Sequence, residues 1–428
     1  MAEDPANREA LESTQLARLR QLLSTLVQHN EFWAPRLRAA GLDGELDDVR
    51  HFSEALSPVT KGELAADQQR HPPFGTNLSE PVEHYVRFHQ TSGTTGVPMR
   101  WLDTAAGWDT LLSTWQKVLG VAGIGPADRI FIPFSFGPFL GFWTAFEAAT
   151  RLGCLTIPGG GMGSKGRLEV LLENGATAFC ATPTYAIRLA EVAREEGFDL
   201  GRSRVRKIFV AGEPGGSVPS VRQRIADLWP GAEVFDHHGM TEVGPVSFPN
   251  PRFPGLLHID ENAFLAEIVD PESGAPVADG EEGELLLTTL LRPASPLLRY
   301  RTGDLVRRST RPIEELGFPE MALEGGILSR VDDMVVVRGV NLYPSAIDEV
   351  VRSLGGVAEY RVWIESQDSL KEVRVEIEPA PAVDDPDDVA RRLEDAFRRA
   401  FQLRIPVSTV GRGQLPRFEL KAKRWHSR

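Results

Sequence analysis

Cysteine is nearly absent: Cys154 and Cys180 are the only two in 428 residues. Neither a disulfide framework nor a cysteine-ligated zinc site can be built from so few, and the pair points to a reducing compartment. No apolar run reaches the length that spans a bilayer. The segment from Met1 to Glu9 is polar and acidic, unlike a signal or transit peptide. Positive charge is also in deficit. A net charge of −13 argues against a general binder of nucleic acid or anionic membrane, although the last stretch, Arg417 to Arg428, is locally basic. The expectation is a cytoplasmic protein with neither nucleic acid nor membrane as a partner.

What is present is ordinary for a folded chain: 42% apolar and 25% charged residues. The length exceeds what one core fills, roughly 250–300 residues, and asks for a large domain with a smaller one. Leu11, Leu16, Leu19, Leu22, Leu23, Leu26 and Val27 recur at three- and four-residue spacing and predict an amphipathic helix. Residues 42 to 80, with Pro58, Pro72, Pro73 and Gly75, read as turns.

From Gly107 to Pro254 helices and short strands alternate, with strands at Arg129 to Phe134, Leu155 to Pro158, Ala178 to Ala181, Lys207 to Val210 and Glu233 to Asp236. That alternation predicts a largely parallel sheet covered on both faces. Ligands of such sheets bind beyond the carboxyl ends of the strands, where Ala211-Gly212-Glu213-Pro214 and His237-His238-Gly239-Met240-Thr241-Glu242 lie. After Pro254 the pattern turns to β. A further change near Arg330 opens an α+β module of about a hundred residues, a typical small domain. Its helices are expected at Pro344 to Leu354 and Asp387 to Phe401, and its strands at Met334 to Val337, Tyr360 to Ile364 and Val373 to Ile377. The division is 1–330 and 331–428.

One stretch stands apart: Thr91-Ser92-Gly93-Thr94-Thr95-Gly96 interleaves four hydroxyls with two glycines after an alternating segment. Glycine lets the backbone come close to a ligand, and hydroxyls with free N–H groups suit phosphate oxygens. No Gly-Lys-Ser/Thr closes it, so it is not a Walker A loop. By itself it equally describes a polar surface turn.

Further segments remove that ambiguity. They are Ala211 to Pro214, His238 to Glu242, Tyr300-Arg301-Thr302-Gly303-Asp304, and Arg330 to Met334 continuing through Arg338-Gly339-Val340 to Pro344. In this order and spacing the chain resembles the adenylate-forming enzymes, acyl-CoA synthetases and adenylation domains included, and most of all the phenylacetate-CoA ligase branch of aryl-CoA ligases. The resemblance implies an α/β fold. Its large N-terminal domain would have parallel and mixed sheets covered by helices plus a β-barrel-like part, beside a small mobile α+β C-terminal domain.

It also implies a two-step reaction. A carboxylate attacks the α-phosphorus of ATP, giving an acyl-adenylate and pyrophosphate, and the thiol of coenzyme A then displaces AMP. Thr91, Ser92, Gly93, Thr94, Thr95 and Gly96 would cover the β- and γ-phosphates. Glu242 would hold Mg²⁺, a hard cation that takes oxygen ligands, and Thr241 would donate to the α-phosphate. Asp304 would accept from the ribose hydroxyls. Gly212, Glu213 and Pro214 would line adenine beside His238, which stands where the family usually has tyrosine. Asp236, Gly239, Met240 and Arg330 complete the nucleotide set. Lys421 aligns with the catalytic lysine, Asp332 with the hinge about which the small domain turns, and Gly339 with the wall of the thiol tunnel. The acyl pocket would comprise Phe136, Phe139, Leu140, Gly141, Ala211, His237 and Pro245, a flat aromatic inventory that suits a small aromatic carboxylic acid of benzoate, anthranilate or phenylacetate type. The branch also implies a possible homodimer. Two alternatives stand: transfer of the acyl group to a carrier protein, amine or hydroxyl, and a non-catalytic acyl-adenylate-binding paralogue.

Overall fold

The computed structural model describes residues 8–91, 98–331, 333, 335–337, 340–367, 370–418 and 422–427. At its centre lies a five-stranded, all-parallel sheet in the order Leu155–Pro158, Arg129–Ile132, Ala178–Ala181, Lys207–Ala211, Glu233–His237. Side chains alternate across a strand, so each strand must feed two cores at once. Ile130, Ile132, Ala178, Cys180 and Phe209 pack on one face against Trp108, Leu112, Trp115 and Ala148, from the helices Ala105–Val121 and Trp143–Arg151. Phe131, Phe179, Ala181, Ile208 and Val210 pack on the other against Leu168, Leu189 and Ile225. Those three belong to the helices Ser164–Glu173, Pro183–Glu195 and Pro219–Leu228. Burial on both faces explains why the three inner strands, Arg129–Ile132, Ala178–Ala181 and Lys207–Ala211, read as largely continuous apolar runs.

The β-rich part, which begins at Ser247 and lies mostly after Pro254, contains two antiparallel sheets. One has four strands, Phe264–Val269, Glu282–Thr289, Tyr300–Arg307 and Ser329–Arg330. The other has three: Ser247–Pro249, Leu256–Ile259 and Ala322–Glu324. The four-stranded sheet shares its core with the N-terminal helix Arg8–His29, through Leu19, Leu23 and Leu26 against Phe264, Leu287 and Leu298.

Residues 42–80 depart from the expectation of turns. Helices occupy Val49–Ala55 and Lys61–Arg70. Both are short and polar, with little apolar periodicity to announce them, and capping supplies what periodicity does not. Asp48 accepts from the His51 N–H, while Thr60 and Glu63 form a reciprocal capping box.

The C-terminal α+β domain has its own core, whose members all fall between Val335 and Trp425. Its sheet runs Val407–Thr409, Leu370–Pro379, Val357–Gln367, Trp425–Ser427, with the helices Pro344–Leu354 and Pro386–Phe401 packed on it. Both central strands extend beyond their expected limits, because the antiparallel pairing continues to Gln367 and Leu370, past the positions that the pattern reveals.

Candidate active site

The carboxyl ends of Lys207–Ala211 and Glu233–His237 lie side by side, with Ala211 opposite His237 in register. Beyond the second strand the chain folds into a two-residue ribbon, Gly239–Met240 against Gly244–Pro245, whose turn carries Thr241 and Glu242. A side chain at Gly239 would press on the Gly244 carbonyl 2.9 Å away, so the ribbon closes only on glycine.

Glu242 is 6% exposed, and its Oε1 accepts from Lys61 Nζ at 2.7 Å. Its main-chain oxygen accepts from Arg292 Nη1 at 3.0 Å. Arg292 is itself buried and held by Asp103 Oδ1, at 3.0 Å to Nε and 2.6 Å to Nη2. This pair ties the Glu242 turn to the strand Arg100–Thr104, one arm of the hairpin formed with Tyr85–Gln90. Thr91 N–H donates to the Met99 carbonyl at 2.9 Å, joining the two sides of the hydroxyl-rich stretch.

Asp304 and Arg330 are strand partners, and Arg330 Nη1 donates to Asp304 Oδ1 at 3.0 Å. The other oxygen, Oδ2, meets His238 Nε2 at 2.9 Å. A carboxylate only accepts, so Nε2 carries the hydrogen. The opposite ring nitrogen of His238, Nδ1, is buried without a hydrogen-bond partner among the described residues. Asp236 is buried too, and burial raises its carboxyl above the usual range, partly offset by Ser217 Oγ at 2.6 Å and the His237 N–H at 3.0 Å. A Cβ on Gly216 would overlap the Asp236 carboxylate.

His237 faces the opposite core. Its Nδ1 lies 2.8 Å from the Ser247 carbonyl, which can only accept, and its ring centroid is 4.3 Å from that of Trp115. Burial lowers its pKa to about 3. The ring is therefore neutral with the hydrogen on Nδ1, which leaves Nε2 as an acceptor. Ring contacts continue outward from Trp115 to Phe142, Phe134, Phe136 and Phe139. Phe139 is 37% exposed while Leu140 is buried. The space left by Gly141, at φ +42°, is taken by the ring of Phe134.

His238, Asp304 and Arg330 thus meet in one cluster, and His237 joins Phe136 and Phe139 through Trp115, Phe142 and Phe134. Gly212 and Pro214 are exposed and Glu213 is half-buried. Its Oε1 accepts from Thr184 N–H at 2.8 Å and its Oε2 from Ala422 N–H at 2.9 Å, so both oxygens serve protein donors. Ser92, Gly93, Thr94, Thr95, Gly96, Asp332, Gly339 and Lys421 lie outside the described residues.

Sequence reasoning missed Lys61, Arg292, Asp103 and Trp115. One signal for Lys61 was available. It occupies the first position of the helix Lys61–Arg70, where a cation is electrostatically disfavoured, so its presence there asks for a reason beyond helix formation.

The sequence pattern described as AMP-binding enzyme matches residues 26–289, and that described as AMP-binding enzyme C-terminal domain matches residues 339–428. The chain belongs to the AMP-binding enzymes. Within this family it is 29% identical to the phenylacetate-coenzyme A ligase of Escherichia coli (strain K12), aligning 98% of this chain with 95% of that one. It is 30% identical to the phenylacetate-coenzyme A ligase of Pseudomonas putida, over 88% and 83% of the two chains. Among solved AMP-binding enzymes, 2-hydroxyisobutyryl-CoA ligase in the postadenylation state, in complex with R3-HIB-AMP, superposes with a TM-score of 0.90 at 27% identity. That match covers 100% of this chain and 91% of the other. The same ligase with 2-HIB-AMP and CoA in the thioesterification state gives 0.70 at 28% identity, over 99% and 91%. The overall arrangement of this chain is therefore nearer to the postadenylation form.

Proposed function

We propose that the protein activates an aromatic carboxylic acid bearing a hydrogen-bond donor, such as an amino- or hydroxybenzoate, first to an acyl-adenylate and then to the CoA thioester. Membership in the family, with the likeness to phenylacetate-coenzyme A ligases over most of the chain, makes it an AMP-forming acid–CoA ligase; the aromatic acid is our own reading. The observation that carries this reading is His237. Its neutral ring presents an unprotonated Nε2 beside Trp115 at the inner end of a run of aromatic side chains. Such a site rejects an acid lacking the donor, because an acceptor buried without a partner loses its water and gains nothing.

The nucleotide roles follow from the cluster at the strand ends. Asp304, braced by His238 and Arg330, keeps a carboxylate in reach of ribose hydroxyls, since two oxygens offer more acceptor sites than these two donors use. The free Nδ1 of His238 and the buried Asp236 carboxyl supply polar atoms suited to a purine edge. For Mg²⁺ the donor chemistry fits: a single carboxylate, Glu242, completed by phosphate oxygens, is a common way of binding this ion. When bound, the ion would neutralise phosphate charge. Lys61 adds a second cation at the same carboxylate. Residues 1–330 act as the adenylation core and 331–428 as a mobile domain that brings Lys421 to the carboxylate and α-phosphate. Thr241 and residues 91–96 contact the phosphates, Asp332 serves as hinge, and Gly339 borders the thiol path.

A second reading is a small aliphatic hydroxy acid, supported by the likeness to 2-hydroxyisobutyryl-CoA ligase; the same acceptor would take its hydroxyl. Pyrophosphate release should be measured with benzoate, 2-aminobenzoate, 2-hydroxybenzoate, phenylacetate and 2-hydroxyisobutyrate, then thioester formation with CoA, a carrier protein and amines. The donor-bearing benzoates should exceed benzoate by roughly tenfold or more in kcat/KM, the worth of one buried hydrogen bond. Equal rates for benzoate would end the donor argument, and 2-hydroxyisobutyrate alone would establish the second reading.

A further inference from the structure

We infer that Glu213 is a positioning residue that latches the C-terminal domain onto the adenylation core in the arrangement that precedes thioester formation. The inference rests on the two-step reading above and deepens it, by naming the contact that holds one of its two conformations.

Glu213 lies in the loop after Lys207–Ala211, in a segment expected to line adenine, yet its carboxylate is committed elsewhere. Oε1 accepts from the Thr184 N–H at 2.8 Å. Thr184 is the second residue of the helix Pro183–Glu195, whose Thr182 cap already accepts from Tyr185 N–H at 3.2 Å. The first N–H groups of a helix have no partner within it, and the positive end of the helix favours an anion there. The core therefore fixes Glu213 from its own side. The other oxygen, Oε2, accepts from the Ala422 N–H at 2.9 Å. Ala422 belongs to the other domain and follows Lys421 in the sequence, shortly before the strand Trp425–Ser427. One carboxylate thus bridges the end of a core helix and the chain beside the catalytic lysine.

The chemistry of the bridge is specific. Both partners are N–H donors, so the group between them must accept twice on two separate oxygens. A carboxylate does this. A carboxamide of the same shape does not, because its NH₂ would face one of the two N–H groups and leave it unpaired.

A second contact, Ser220 Oγ to Glu349 Oε2 at 2.7 Å, joins the helices Pro219–Leu228 and Pro344–Leu354. It lies between two helix surfaces and does not reach the chain beside Lys421. Both contacts cross between the domains, but only the one at Ala422 holds the chain beside Lys421. The better superposition on the postadenylation form than on the thioesterification form places this chain on the latched side of that rotation.

Two variants approach the bridge from opposite ends. Glu213→Gln leaves one donor unpaired. Ala422→Pro removes the donor on the C-terminal side while leaving Glu213 and the helix cap intact. Spin labels introduced by Arg224→Cys and Arg399→Cys, both exposed positions, report the distance between the domains, and the native Cys154 and Cys180 are buried. Each variant should broaden or shift the distance distribution of the otherwise unaltered chain. Each should also lower kcat of adenylation by about 10- to 100-fold, the worth of a charge-assisted hydrogen bond, with KM for ATP and acid held within about twofold. The second half-reaction, started from supplied acyl-adenylate, should fall by no more than about threefold. An unchanged distance distribution, or equal loss of both half-reactions, would overturn the latch. If the parent chain releases no pyrophosphate with any acid, the proposed function falls instead, and the distance measurement alone decides the contact.

Discussion

Replacing His237 by asparagine tests the protonation state on which substrate choice rests. The variant keeps an N–H that can donate to the Ser247 carbonyl but removes the titration. In the fold, burial holds the imidazole at about 3; in the unfolded chain it returns to about 6.5. Because the folded value is the lower one, the unfolded chain binds more protons between these limits. The stabilisation is fully present above about pH 6.5 and is lost as pH falls towards about 3. Between about pH 8 and about pH 5 the loss from this one group is about 2 kcal/mol, and unfolding at about pH 5 takes up about one proton at this side chain. Asp236, raised by burial, works in the opposite sense, losing stabilisation as pH rises through its folded value, but it is common to both chains and cancels in the difference. Potentiometric proton uptake on unfolding in guanidinium gives the number directly and does not require a two-state transition. The parent should take up about one proton more than His237→Asn at about pH 5 and the same number at about pH 8. Thermal scans at the two pH values should show the parent losing more stability than the variant. Equal uptake at about pH 5 would mean that the folded ring titrates normally. The acceptor at Nε2, and with it the preference for a donor-bearing acid, would then fade below about pH 6.5 instead of persisting to about pH 5.

Other outcomes follow from the same geometry. Lys61→Ala removes the cation 2.7 Å from a nearly buried carboxylate. A double-mutant cycle with Glu242→Gln in chemical unfolding should return a coupling of about 1–2 kcal/mol, between surface and buried pairs. Asp304→Asn should raise KM for ATP in the pyrophosphate-release assay by roughly 10- to 100-fold, since it loses a charged acceptor and its brace from His238 and Arg330. Gly216→Ala forces a methyl against the Asp236 carboxylate and should cost about 1–3 kcal/mol by thermal scanning, with weaker ATP binding. No change in melting temperature there would mean that the wall beside Asp236 is looser than drawn.

Much of the site was legible because its chemistry is local in sequence. The turn bearing Thr241 and Glu242 and the strand Tyr300–Arg307 bearing Asp304 each announce themselves by residue type and spacing, while the expected stretch from Ser92 to Gly96 lies outside the described residues. The parallel sheet was equally legible, since strands such as Ala178–Ala181 are buried on both faces and carry no polar alternation. Residues 49–70 were not, because the helices there rest on Asp48, Thr60 and Glu63 rather than on an apolar stripe.

The sequence by itself determined the family, the order of the two domains and the candidate nucleotide residues, because glycine, acid and hydroxyl requirements are met within short windows. Tertiary structure alone decided which groups meet. Lys61 reaches Glu242 across 181 residues and Ala422 reaches Glu213 across 209. Trp115 seats the His237 ring from the helix Ala105–Val121. Glu213, in a segment expected to line adenine, meets the Ala422 N–H for the same reason. A side chain's type fixes what it can bind, whereas the donors that surround it are supplied by the folding of distant segments.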